Sequence, residues 1–465
     1  MTEGFLARIA GLTVGRRLKS MITGDTGSIV ATAVVQSILR IVGSVILTRL
    51  LPPEAFGVVG IITSVAVTFA LLSDIGLLAY VVRHEEDATS EFLDEIWTLR
   101  LIRSVALSSL VAAAAYPIAT FIGKPDLSWA IAVGGLTFLL DAADSLAFVT
   151  ALRSRQVKKL NVVDISTQAL GLAGSVILAL IFRNYWAIIV NNLVSQIIRA
   201  WLSYRWFPGN SRRWRFSNSR ARDLWHFSKF ITGSTMLTLV ITQTDKFVLA
   251  KLIPLHIFGF YMIANNLAGT PTGLASSYAG RLLFPIFSDT RRHSPDDLGW
   301  QFYHLRMRAS LLYALGIGLL ISCSPLIISF IYSEAYRTVA TLLQILLISS
   351  FFAMNNYVTN ELMIARGEPW FTLYSNVVRI TFFVSTGVLA YHHFGVMGII
   401  WTVGAVEGAA QVYSWIVLKR RGLFKAELEL QILGAGAAGL IIGYGLNLLG
   451  TAVLLRFRGA LVWHW

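Results

Sequence analysis

The sequence predicts an all-α, polytopic membrane protein: two parallel six-helix lobes around a central cavity, plus one or two extra C-terminal helices. Three observations carry this reading. Only 14% of the 465 residues are charged and 55% are hydrophobic, whereas about a quarter of a soluble domain is charged. Apolar runs long enough to span a bilayer recur along the whole chain. A short motif also occurs twice: Arg49-Leu50-Leu51-Pro52-Pro53-Glu54-Ala55-Phe56-Gly57 returns 202 residues later as Lys251-Leu252-Ile253-Pro254-Leu255-His256-Ile257-Phe258-Gly259. Each copy lies between two apolar stretches, the pattern of an internally duplicated membrane protein.

Twelve core spans follow from hydropathy, at 27–48, 57–81, 97–121, 128–151, 162–182, 185–205, 228–250, 257–282, 309–332, 338–364, 371–391 and 395–418. Six spans separate the two motifs. An even number gives both halves the same orientation, so the repeats are parallel, related by an axis along the membrane normal. The domains read as a six-helix lobe over 27–206, a basic linker over 207–227 and a second six-helix lobe over 228–418. Segment 1–26 mixes basic and apolar residues, and no cleavage site follows a clean apolar stretch, which reads as a cytoplasmic interfacial helix. Segment 419–465 opens on Lys419-Arg420-Arg421. Its Gly- and Ala-rich stretch at 430–455 suits either one tilted span or a tight hairpin.

The net charge of +14 raises nucleic acid as a partner, but the charges sit in short loops between spans, where the positive-inside rule places them. With the N-terminus inside, 26 basic residues fall on the cytoplasmic side and five opposite: Arg49, Lys124, Arg183, Lys251 and Arg337. The orientation expected is therefore N-terminus in. The linker arginines Arg212, Arg213, Arg215, Arg220 and Arg222 are expected to lie on anionic lipid headgroups, the alternative being contact with a partner. The single cysteine, Cys323, excludes a disulfide within the chain, and His392-His393 lacks ligand spacing, so no metal is assigned. No phosphate-binding Gly-x-x-x-x-Gly-Lys-Ser/Thr loop occurs, so no cofactor or direct ATP drive is expected.

The doubled motif resembles the start of each half in the polysaccharide transporter (O-antigen/exopolysaccharide flippase) family of the multidrug/oligosaccharidyl-lipid/polysaccharide exporter superfamily. Leu72-Ser73-Asp74-Ile75-Gly76-Leu77 with Val81-Val82-Arg83 is similar to the end of that family's second span. Thr244-Asp245-Lys246-Phe247, Leu283-Phe284-Pro285-Ile286-Phe287-Ser288 and Ala365-Arg366-Gly367-Glu368-Pro369 also look familial. The resemblance covers roughly residues 25–420. It implies two lobes around an alternating, often cationic cavity. It also implies a polyprenyl-diphosphate-linked oligosaccharide, usually on undecaprenyl diphosphate, flipped across the bacterial inner membrane, with polysaccharide polymerase and assembly proteins as expected neighbours.

Ionisable residues within spans cost about 2.5–3.5 kcal/mol each on insertion scales, so each carries a functional expectation. Arg40 is the sharpest: it lies about 20 Å from the cytoplasmic end of its span at 1.5 Å per residue. Its planar guanidinium suits a diphosphate. Arg199, Lys246 and Arg379 are the other headgroup candidates, and Asp74, Asp141, Asp144, Asp245 and Glu407 are candidate coupling-ion or structural acids. Asp141 and Asp144, at i and i+3, should share a helix face and form either a cation site or pairs with Arg100 or Arg103. For every cation the other reading is an ion pair with a neighbouring helix. Asn355, Asn356, Asn360, Gln243, Thr244, Trp401 and Tyr413 could serve sugar recognition or interhelical hydrogen bonds.

A headgroup of charge about −2 moving outward releases about 2.3 kcal/mol per charge per 100 mV, so uniport and ion antiport are both energetically open. The leading expectation is a lipid-linked oligosaccharide flippase and not an enzyme. The alternatives are a cation-coupled small-molecule exporter of the same superfamily, or a non-catalytic scaffold of polysaccharide assembly. No outward loop exceeds about a dozen residues, which argues against a glycosyltransferase or polymerase.

Overall fold

A computed structural model of the chain describes residues 25–74, 76–77, 80–81, 90–146, 157–207, 212–294 and 297–462. The expected interfacial helix, Arg83, Arg153, Arg155 and the last residues of the fourth span lie outside the described residues. Among the described residues there is no β-strand. The first half contains α1 (Asp25–Leu50), α2 (Pro53–Leu72), α3 (Ser90–Phe121), the short α4 (Ser128–Gly134) and α5 (Leu136–Ala142), α6 (Val157–Phe182) and α7 (Trp186–Trp206). The second contains α8 (Asn218–Leu252), α9 (Leu255–Ser277), α10 (Phe284–His293), α11 (Leu298–Ile331), α12 (Thr338–Ala365) and α13 (Trp370–Arg420); α14 (Ala426–Val462) follows.

Seven of these helices are long and apolar enough to cross a membrane: α2, α3, α6, α11, α12, α13 and α14. α7 and α9 fall short because Asn191, Asn192 and Arg199, and Asn265, Asn266 and Thr270, interrupt them. α13 holds two of the expected spans. Gly395 (φ 59°, ψ −145°) breaks it, in a region open only to glycine. Gly398 then packs so close to Ala390 that a Cβ would stand 2.2 Å from its carbonyl oxygen, so the two arms run side by side.

Some boundaries differ from the sequence reading. α8 starts at Asn218, capped by the Ser217 hydroxyl, so much of the expected linker is helix. α2 stops at Leu72: Ser73 Oγ bonds the Phe69 carbonyl (2.7 Å), and Asp74 Oδ1 accepts from Gly76 N (2.9 Å) at a positive-φ glycine. Asp74 therefore closes a turn rather than lying within a span. The fourth span is two short helices meeting at Gly135, where a Cβ would crowd Val111 of α3 at 2.9 Å. α5 ends at Ala142, so Asp141 and Asp144 do not share a face: Asp141 is exposed and Asp144 is buried.

The two motifs form equivalent corners. Leu51 N bonds Leu47 O (2.8 Å) and Ile253 N bonds Leu249 O (3.0 Å), so α1 turns into α2 as α8 turns into α9. The corners also face each other. A Cβ on Gly57 would meet the Leu255 carbonyl oxygen at 2.4 Å, and one on Gly259 would meet the Pro53 carbonyl oxygen at 2.0 Å. Position 202 residues onward from Pro53 is Leu255, so the contact is reciprocal, as a two-fold axis requires. Around it, Tyr336 donates to Leu51 O (2.9 Å), Tyr332 shares a hydrogen bond with Ser44 (3.0 Å) and Lys124 donates to Ala250 O (2.6 Å). The lobes are thus closed at the motif end. α2 packs along α8 and α9, whereas α1 meets α9 only sparingly.

At the opposite, linker end, three of the linker arginines meet carboxylates at the start of α3. Arg212 pairs with Asp94 (3.6 Å), Arg215 with Glu91 (2.8 Å), and Arg220 with Glu95 (3.1 Å). These three are held by protein acids where lipid headgroups were expected.

The C-terminal stretch is one helix, which resolves the choice between span and hairpin. α14 lies along α11 through small residues. A Cβ on Gly318 would stand 2.2 Å from Gly436 O, and one on Gly439 2.1 Å from Leu315 O. Arg306, one of the 26 basic residues expected on the cytoplasmic side, is fully buried and paired with Glu429, whose oxygens also accept from Tyr303 (3.2 Å) and Trp415 (3.1 Å).

Two stability predictions follow from this packing. Gly259→Val should cost about 1–3 kcal/mol by overpacking against the Pro53 carbonyl, whereas Gly434→Ala, in open space on α14, should be neutral. Arg306→Ala should cost about 3–5 kcal/mol by stranding Glu429, and Arg306→Met with Glu429→Leu should recover most of it. Thermal unfolding of the purified protein in detergent reads both.

Candidate functional site

Polar residues on α1, α6, α7 and α9 face one another across a cavity of about 780 Å³. α1 contributes Gln36, Arg40 and Ser44; α6 Asp164, Thr167 and Gln168; α7 Asn191, Asn192, Ser195 and Arg199; α9, from the second half, Asn266 and Thr270. A smaller cavity of about 270 Å³ adjoins it and shares Gln36, Arg40, Asp164 and Thr270. Its far wall holds Arg281, on a wide π-helical turn at Tyr278–Leu283. Arg40 therefore stands at the junction of the two spaces and on the seam between the two halves.

Arg40 is exposed into this space. It donates to Ser37 on its own helix (3.2 Å), and among the described residues no carboxylate forms an ion pair with it. Arg199 differs: Asp144 and Asp164 flank it at 3.7 Å and 3.8 Å. Asp164 and Arg281 were not among the residues singled out from sequence. Asp164 lies early in a span, where a carboxylate reads as a flank, and Arg281 looked like one more loop charge.

The other two headgroup candidates share a separate cavity of about 270 Å³ in the second half, lined by α8, α9, α12 and both arms of α13. Lys246 donates to the Thr242 carbonyl one turn back on α8. Asp245 is buried and accepts from Tyr261. Arg379 makes a two-pronged pair with Glu407: Nε to Oε1 at 2.7 Å and Nη2 to Oε2 at 2.8 Å. Ser375 and Asn376 bind the same guanidinium, and Asn356 donates to Glu407 (2.6 Å). Arg379 is thus engaged within the lobe while Arg40 is available.

The 780 Å³ cavity and the second-half cavity are counterparts. α1, α6 and α7 enclose one as α8 and the two arms of α13 enclose the other. Each is crossed by one ion pair between its last two helices, with the charges exchanged: Asp164–Arg199 in the first half, Arg379–Glu407 in the second.

Most of the remaining candidates contact neighbouring side chains or backbone, while Thr244 lines the second-half cavity. Arg100 pairs with Asp141 (2.9 Å), and Arg103 donates to Ser73 Oγ (2.9 Å). Asn355 accepts from Ser310, Asn356 also from Ser414, and Asn360 from Thr372. Trp401 is exposed and Tyr413 stacks on Phe371 at 5.4 Å; neither lines these cavities. Among the described residues no cluster of three or more His, Cys, Asp or Glu could hold a metal ion.

This architecture has solved counterparts. It superposes on the lipid II flippase MurJ in an inward closed conformation with a TM-score of 0.72, at 11% identity, covering 93% of this chain and 98% of that one. An inward-facing multidrug resistance MATE family transporter of the MOP superfamily gives 0.62 at 12% identity, over 83% and 95%. In sequence, the succinoglycan biosynthesis transport protein ExoT of Rhizobium meliloti (strain 1021) is 27% identical over 253 residues, 54% of this chain. That match spans 50% of ExoT's own length. The lipopolysaccharide biosynthesis protein WzxC of Escherichia coli (strain K12) is 20% identical over 404 residues, 85% of this chain and 80% of that protein. A family model described as "Polysaccharide biosynthesis protein" matches residues 46–341, more than half of the sequence, and the chain accordingly belongs to the polysaccharide biosynthesis protein family.

Proposed function

We propose that this multi-pass membrane protein is a flippase that carries a polyprenyl-diphosphate-linked oligosaccharide across the bacterial inner membrane by alternating access. One observation carries the reading: Arg40, with no carboxylate partner among the described residues, stands at the seam of a 780 Å³ cavity walled by amides and hydroxyls. The guanidinium suits the diphosphate, and the amides and hydroxyls suit sugar. The names of ExoT, WzxC and MurJ support the same substrate class. The linker end then faces the cytoplasm and the motif end the periplasm, with the second lobe opening at Asn218 rather than at residue 228. The conformation described is closed at the motif end, and the sparse contact between α1 and α9 leaves a side path for the lipid chain. Polymerase and assembly proteins would receive the delivered unit.

Arg40→Ala should abolish surface polysaccharide in cells while membrane protein levels stay normal, and Arg40→Lys should restore only part, because an ammonium cannot bind with two prongs. Normal polysaccharide in a well-expressed Arg40→Ala strain would remove this residue from the site. Arg379→Ala should instead lower the protein level itself by leaving Glu407 unpaired, and Arg379→Met with Glu407→Met should restore it. Immunoblots of membranes alongside polysaccharide assays separate the two roles.

A further inference from the structure

The residues around the large cavity also specify what kind of sugar it accepts. We propose that it selects uncharged repeat units over acidic ones, and that Asp164 is the residue that sets this preference; the proposal rests on the flippase reading above. Charge is uneven along the site, with Asp164 on the rim that the two cavities share. The small cavity holds Arg40 and Arg281, one from each half, facing each other across about 270 Å³. That end suits the diphosphate. Beyond Arg40, the wall that would meet the glycan is built of Gln168, Asn191, Asn192, Ser195 and Asn266, groups that donate to and accept from hydroxyls and N-acetyl groups.

Arg199 is the cation in that wall, and its charge is already answered. Asp164 faces the same cavity at 3.8 Å from it, and the buried Asp144 supports it from behind at 3.7 Å. Once the diphosphate takes Arg40, no uncompensated positive charge remains beside the glycan among the described lining residues. A sugar carboxylate would face Asp164 in a space of low effective dielectric, where like charges repel far more than in water.

The test is competitive binding to the purified full-length chain in nanodiscs, read by native mass spectrometry. Three probes are used: undecaprenyl diphosphate without sugar, the same lipid bearing N-acetylglucosaminyl-glucose, and the same lipid bearing N-acetylglucosaminyl-glucuronate. The neutral disaccharide lipid should bind about tenfold or more over the acidic one. Asp164→Asn, which removes the carboxylate facing the cavity while Asp144 still pairs with Arg199, should bring that ratio toward one, and Arg199→Gln, which takes the paired cation from Asp164, should raise it. The opposite directions of the two variants cannot arise from misfolding. Equal or stronger binding of the acidic lipid to the wild-type chain, or a ratio that neither variant moves, overturns the selectivity while binding of the sugar-free lipid leaves the flippase reading intact. If none of the three lipids displaces undecaprenyl monophosphate, both fall.

Discussion

Two glycines set against two carbonyl oxygens define how the halves of this molecule meet. Gly57 abuts Leu255 and Gly259 abuts Pro53, each at a distance that excludes any side chain. The contact is reciprocal because the sequence is duplicated, and it fixes α2 along α8 and α9. With that seam closed, the space that remains between the halves lies on the other side, between α1 and α9, where the polar cavity is found. In a bilayer the hydrophobic effect gives neighbouring helices little reason to associate, so close approach of small residues does this work. The same device recurs where Gly318 and Gly439 bring α11 and α14 together.

The second constraint is charge in a low-dielectric medium. Among the described residues, several ionisable groups between helices are answered by partners: Arg306 by Glu429, Arg379 by Glu407, and the half-exposed Arg199 by Asp144 and Asp164. Against that background the position of Arg40 stands out, since it sits at a seam and lacks a carboxylate partner among the described residues. The Asp164–Arg199 and Arg379–Glu407 pairs carry exchanged signs in the two halves of the duplicated scaffold. One half holds a bidentate pair, and the other keeps a longer, looser pair beside a larger space.

The fold class was legible in the sequence because its determinants are local: hydropathy gives the spans, and the repeated Pro and Phe-Gly give the corners. Most of the expected spans correspond to helices, the fourth being two short ones as far as it is described, and errors fell where side chains overrule hydropathy, as at Ser73 and Asp74, which end α2 early. The site was legible only in part. Mid-span Arg40 and Arg199 are costly enough to announce themselves, and both line the cavity. Asp164 lies near the start of its helix, where charge is cheap, and Arg281 lies in the π turn of a helical run that continues to His293, so only the packing shows that they face inward. The partner of Arg379 could not be found from spacing, because Glu407 comes to it through the turn at Gly395 rather than along one helix.

The linker contacts bear on the order in which the molecule is made. Glu95 and Arg220 stand 125 residues apart in the chain, yet they close on each other at 3.1 Å. During synthesis the carboxylates at the start of α3 emerge long before the arginines that neutralise them. The first lobe therefore reaches its final charge balance only once the entry to the second has been translated. Completion of one half is timed by the arrival of the next, and a chain truncated before Arg212 would leave its three acids without these partners.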